Sequence, residues 1–313
     1  MDVFGNRKQT KMNKAKRDDL IFYWSMLIIP LVSAAIFYVY VNFNSFVLAF
    51  SEYKYMGEET GYKVVFAGLD NFKKVIQSLS KDPTFSTSAK NSIVSWAIKL
   101  IFTTIPPFFF SYYMYKQRLF SGWFKILLYL PGVISGITIS ITLKYMVESA
   151  YPMFVEKITG EIVDGLLTNP KTAFNTLIFM QIWSGFGGNC LLYLGTMNGI
   201  PDTIPEAAAL DGITPLKEMI LITIPMIWPT VVLFLSTSLI GFFTADVGQY
   251  NIYQDGADAN LYTFGYYLFV NTKNSAESGY PFLSAMGLIM TILATPIVLG
   301  TRYALRKWGP RVD

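Results

Sequence analysis

The chain has 313 residues, 52% hydrophobic, 16% aromatic and only 15% charged, with a formal net charge of +4 and a mean hydropathy of +0.39. A soluble domain carries about a quarter charged residues, so the shortfall argues against a water-soluble fold and points to lipid as the solvent. Histidine is absent and Cys190 is the sole cysteine, which removes the commonest general base and metal ligand, an intrachain disulfide and any multi-cysteine metal site.

Residues 1–19 form a basic segment, with six basic side chains between Arg7 and Arg17. Such a cluster suits anionic lipid headgroups; no aromatic or helix-turn-helix context supports nucleic-acid binding. Residues 20–313 read as a single membrane domain, because a helix needs about 20 mostly apolar residues to cross the hydrocarbon core. Six charge-poor stretches meet or approach that length, so the predicted class is an all-α integral membrane protein with six transmembrane helices. They are Leu20 to Ser51, Ser92 to Tyr115 (with Lys99 inside), the stretch between Lys125 and Lys144, Thr172 to Pro201, Met219 to Ala245 and Ser278 to Thr301. The first is too long for a secretory signal and lacks an evident cleavage site, so it reads as a retained anchor. Pro106-Pro107 and Pro131 are expected to kink or locally unwind the second and third spans.

Basic residues set the orientation. Segments 1–19, 116–125, 202–218 and 302–313 hold 14 basic against 8 acidic residues, while 52–90, 148–171 and 246–277 hold 9 against 13. Both termini and the short loops are therefore expected in the cytoplasm, and the long loops outside.

The loop between the fourth and fifth spans reads GIPDTIPEAAALDGITPLKE. Pro205 suits a helix start, and Glu206 in the first turn complements the helix dipole. Ala207, Ala208 and Ala209 are strong helix formers with little bulk, so a short helix here can lie close to another surface. Gly212 supplies a left-handed stop, and Asp211 is expected to accept local backbone bonds at the turn. Thr214-Pro215 then opens the fifth span. The prediction is a cytoplasmic helix–turn–helix elbow.

That string resembles the EAA loop of the permease subunits of bacterial ABC importers. The matching positions are Glu206, Ala207, Ala208, Asp211 and Gly212, followed by Ile222, Ile224, Pro225 and Pro229. Ile213 stands where alanine is usual and Ile224 where leucine is usual, both conservative in polarity. In the first outer loop, Phe66 to Ile76 resembles the F-x-G-L-x-N-F segment of carbohydrate-uptake permeases of the maltose/oligosaccharide type. Asn91-Ser92 resembles the Asn-Thr pair opening their second span. The resemblance covers nearly the whole chain.

It implies an import subunit, not an enzyme, in the bacterial plasma (inner) membrane, with Glu206, Ala207, Ala208, Asp211 and Gly212 forming a coupling helix seated on a cytoplasmic ATPase dimer. The chain has no GxxxxGK[ST] phosphate loop, so no cofactor is expected in it, and ATP and Mg would be bound by the partner. One elbow for two ATPase clefts implies a second, related permease subunit, giving a heterodimer. An extracellular solute-binding protein would deliver the solute.

Polar groups inside spans are costly and often line a path. Trp183, Ser184, Gly188 and Asn189 in the fourth span, and Thr237, Gly241 and Thr244 in the fifth, are the substrate-path candidates, partly because maltose-type permeases contact sugar in similar regions. Two bland readings stand beside this one: hydroxyls bond their own helix, and glycines permit close packing. The spans lack the acidic residues that would favour a cationic cargo and the arginines that would favour a phosphorylated one. A neutral sugar therefore fits better than glycerol phosphate, a polyamine or a peptide. A secondary transporter would need an intramembrane ion relay, which Lys99 and Lys144, near outer ends, do not provide.

Overall fold

The structure, a computed structural model, describes residues 3–56 and 62–310, with side chains from residue 16 onward. Most of the basic run between Arg7 and Arg17 thus lies outside the described side chains. The chain divides into two compact units: residues 1–74 with 276–288, and residues 75–275 with 289–313.

In the first unit, α1 (Val3–Ser33) runs through a π-helical stretch, Ala34–Tyr40, into α2 (Val41–Ala49). None of the most apolar window of this long helix is buried. A face-all-round apolar surface is stable in lipid and not in water. Two short antiparallel strands follow, β1 (Ser51–Tyr55) and β2 (Tyr62–Phe66), with Ser51 opposite Phe66. Among the described residues this hairpin is the small exception to an otherwise helical fold. Gly68 then takes a left-handed φ of 59°, which a glycine accepts at little cost. It leads into α3 (Asp70–Lys81). Asn71, which is buried, donates to the carbonyls of Ala49 (3.1 Å) and Ser51 (2.7 Å). The asparagine of the F-x-G-L-x-N-F segment thus satisfies the backbone where the first span ends.

The second unit is built around α4 (Pro83–Tyr115) and α8 (Ala173–Met197), which pack along one another. Asp82 caps α4, its carboxylate accepting from Thr84 N at 2.9 Å. Between them in sequence come α5 (Ser121–Val133), α6 (Gly136–Tyr145), a π turn at Met146–Ala150 and α7 (Tyr151–Thr159). After α8 come α9 (Thr203–Leu210), α10 (Pro215–Glu218), a π turn at Met219–Thr223 and α11 (Ile224–Phe243). The short α12 (Gln249–Tyr253) and α13 (Phe264–Asn274) precede α14 (Tyr280–Trp308), whose residues up to 288 belong to the first unit.

Among the described residues, five helical segments are long and apolar enough to cross a membrane: Lys16–Ala49, Pro83–Tyr115, Ala173–Met197, Pro215–Phe243 and Glu277–Trp308. The third expected span departs from the simple reading. It is a pair, Ser121–Val133 and Gly136–Thr159, bent by 102°; counted as one crossing it brings the total to six. The break falls not at Pro131, which sits inside α5, but at Ile134, whose ψ of 141° is extended. By contrast, α4 runs unbroken through Pro106-Pro107. Pro107 has no N–H to give the carbonyl of Thr103 four residues earlier. The side-chain amide of Asn189 on α8 donates to that carbonyl instead, at 3.2 Å. A borrowed donor thus keeps the helix continuous.

Close helix approach is set by small residues. At Gly187 on α8, an added Cβ would collide with the backbone carbonyl of Leu128 on α5. Ser111 on α4, fully buried, donates to the carbonyls of Pro107 (2.6 Å) and Cys190 (2.9 Å), linking α4 to α8. Cys190 itself is buried beside Met114 and Leu194, as a small hydrophobe would be.

The two lysines inside expected spans both answer to the segment after α11. Lys99 donates to the carbonyl of Asp246 and Lys144 to that of Ile252, each at 3.1 Å. The pair Asn91-Ser92 does similar work: Asn91 donates to the carbonyls of Asn260 (2.7 Å) and Tyr262 (2.9 Å), and the Ser92 hydroxyl accepts from Phe264 N.

Candidate functional site

The elbow forms as the residue types dictate, with one shift of boundary. Helix α9 begins at Thr203, two residues before Pro205. Proline is still tolerated there, because the first-turn N–H groups have no intrahelical acceptor. At the far end Gly212 takes φ +73°. Its N–H bonds to Ala209 O (3.1 Å), and the N–H of Ile213 reaches back to Ala208 O (3.0 Å). This pair of bonds is the Schellman closure. It corrects the expected role of Asp211: its side chain is exposed and makes no hydrogen bond among the described residues, because the backbone alone completes the turn.

The helix presents two faces. Ala208 is turned inward, with 4% of its surface exposed, and Ile204 packs on the cluster of Phe108, Tyr193, Met197 and Met219. Glu206, Ala207, Ala209 and Leu210 face outward, and Leu210 is 89% exposed. The smallness of Ala208 therefore serves packing within this chain. The face left exposed on this helix is Glu206, Ala207, Ala209 and Leu210.

Two residues absent from the sequence reading hold the elbow. Lys116, just beyond α4, forms an ion pair with Glu218, the last residue of α10, and Glu218 is buried. Tyr112 donates its hydroxyl to the carbonyl of Pro215 at 2.8 Å. Lys116 also lies 5.5 Å from the Tyr115 ring centroid and 6.0 Å from that of Tyr112, within cation–π range. The only signal in the sequence is an acidic residue at a membrane boundary without a base beside it on the same face.

Three of the substrate-path candidates engage their hydroxyls within their own helices. Ser184 donates to Gln181 O, Thr237 to Leu233 O and Phe234 O, and Thr244 to Ile240 O, each within its own helix. Asn189 is engaged by Thr103. Trp183, 43% exposed, and Gly188 lie on the exposed surface of α8, while Gly241 is half-buried on α11. Replacing Asn189 by leucine should leave the Thr103 carbonyl without a donor. The expected loss is about 0.6–1.7 kcal/mol, read as a lower melting temperature of the purified protein.

A cavity of about 370 Å³ lies elsewhere in the second unit, among Lys144, Glu148, Thr168, Tyr253, Asp258 and Asn260. Its polar groups satisfy one another. Glu148 accepts from Leu167 N (2.6 Å) and from Thr168 N and Oγ1, while Tyr253 donates to Leu167 O. Burial, and next the Glu148 carboxylate, push the Tyr253 phenol up to about 12, so it stays a neutral donor. Further along the same segment, the hydrogen bond from Lys273 holds the exposed Asp255 carboxyl below its usual range.

No protein-family profile matches the chain. Individual relatives do. The arabinooligosaccharides transport system permease protein AraP of Bacillus subtilis is 24% identical over 274 residues, covering 86% of this chain and 83% of its own. The lactose transport system permease protein LacF of Rhizobium radiobacter is 24% identical over 305 residues, 95% of this chain and 98% of its own. Over most of its length the chain is thus similar to sugar permease subunits of bacterial ABC importers. The permease also shares its fold with a chain of a bacterial ABC transporter that imports the acidic polysaccharide alginate. That match has a TM-score of 0.75 at 22% identity, over 96% of the permease and 99% of that chain. A second structure of such an alginate transporter is a complex with a periplasmic protein carrying an alginate pentasaccharide. The permease is thus a multi-pass membrane transport component.

Proposed function

We propose that the permease moves a neutral sugar or oligosaccharide into the cytoplasm by alternating access, driven through α9 by a separate ATPase dimer that binds ATP and Mg. The observation that carries this reading is the elbow. A short helix, closed by backbone bonds at Gly212, holds a leucine with 89% of its surface exposed beside Glu206 and Ala207. An apolar side chain so exposed beside a carboxylate is the anchor-and-rim pattern of a protein interface. The relatives' names support a sugar as cargo. The alginate complex supports an extracellular solute-binding partner. A single elbow supports a second, related permease subunit, and the distribution of basic residues supports cytoplasmic termini. Among solutes, a neutral sugar remains favoured over glycerol phosphate or a peptide, because the six charge-poor stretches of the sequence hold no arginine or carboxylate.

The test uses Leu210→Cys in inside-out vesicles, where a membrane-impermeant maleimide should label it once the ATPase has been stripped. Restoring the ATPase should protect it, and intact cells should show no labelling. Labelling from the outer face, or indifference to the ATPase, would remove the coupling assignment.

A further inference from the structure

A largely buried ion pair is an expensive way to hold two helices together, because the charges lose much of their water and an apolar pair of similar volume often serves as well. The pair of Lys116 and Glu218 therefore invites a reason beyond stability. Its side chains are only 20% and 9% exposed, and it is not alone. The Tyr112 hydroxyl reaches Pro215 O, so the end of α4 grips both the first and the last residue of α10. Tyr112 and Tyr115 also pack against the cluster that takes in Ile204 of α9 and Met219 of the π turn. On its other side α4 packs along α8 and against α11. A push on α9 thus has two routes: along the chain into α11, and across the Lys116–Glu218 contact into α4.

The π turn at Met219–Thr223 makes the second route matter. Pro225 has no N–H for the carbonyl of Leu221, and the helix widens just before it. Such a turn is a soft joint between elbow and span. We propose that Lys116 and Glu218, with Tyr112 and Pro215, act as a clamp that makes the elbow and the end of α4 one moving body. The stroke of the ATPase then reaches α4 directly instead of being absorbed at the π turn. Both residues are positioning residues; neither touches cargo. The inference rests on the coupling role proposed for α9.

The experiment uses the full transporter in nanodiscs, with spin labels at Leu210→Cys and Arg118→Cys; Cys190 is buried and stays unlabelled. Distances are measured without nucleotide and with ATP trapped by vanadate. The wild-type distance should hold within about 2 Å, the scale of a small helix shift. In the doubly apolar K116M/E218L it should change between the two states or split into two populations, and K116E/E218K should restore a single distance. ATP-driven transport per ATP hydrolysed should fall about tenfold in the apolar double variant, while its melting temperature stays near wild type. A wild-type distance that changes by about a helical turn (~5 Å), or an apolar variant indistinguishable from wild type, overturns the clamp. If instead the Leu210 label is no less mobile with the ATPase bound, it is the coupling role of α9 that has failed.

Discussion

Replacing Gly187 with alanine is expected to abolish accumulation of folded permease. The added Cβ would sit on the backbone carbonyl of Leu128, and a backbone atom cannot rotate away as a side chain can. α5 must then separate from α8 along a contact that also seats Cys190, Leu194, Phe124 and Leu128. Overpacking costs about 1–3 kcal/mol where neighbours can adjust, and more is expected where the obstacle is main chain. Size-exclusion profiles of the detergent-solubilised protein should lose their monodisperse peak. Gly185→Ala is the control, since nothing lies within 4 Å of its added Cβ; it should fold as wild type.

The second large effect is expected at Gly212, and it separates folding from coupling. No atom lies within 4 Å of an added Cβ there, so the obstacle is conformational. A left-handed backbone costs an ordinary residue roughly 1–2 kcal/mol, and a β-branched one is a poorer fit still. Gly212→Val should therefore open the Schellman closure and misdirect α9 while the spans insert normally. ATP-driven uptake should fall by about an order of magnitude or more at unchanged expression. Gly212→Asn should remain near wild type, because asparagine enters this region most readily after glycine. Aspartate shares part of that tolerance, which makes valine the sharper probe. Equal uptake by the valine and asparagine variants would mean that the turn does not aim α9.

The sequence made some of this legible because its signals were local. Length and apolarity located the crossings; alanines followed by glycine foretold both the short helix and its left-handed stop. What it concealed depends on partners far away along the chain. Asn189 reads as a path residue until Pro107 is seen to deprive Thr103 of its donor. The hydroxyls of Ser184, Thr237 and Thr244 read the same way, yet they bond within their own helices. Lys116 carries no motif, and only folding brings it to Glu218. The broken third crossing was hidden because apolar composition reports that a segment prefers lipid but not that its axis is straight.

That break has a consequence for the surrounding bilayer. α5 has 13 residues, so at about 1.5 Å per residue it is shorter than the ~30 Å hydrocarbon layer, whereas the helical run after the break continues from Gly136 to Thr159. The carbonyls closing α5 and the amides opening α6 meet beside Ile134 and Ser135, on a surface this chain leaves uncovered. Acyl chains offer such groups no partner. Wherever this break lies within the hydrocarbon layer, water or another subunit must therefore reach it, and there the membrane cannot form an unbroken oily wall.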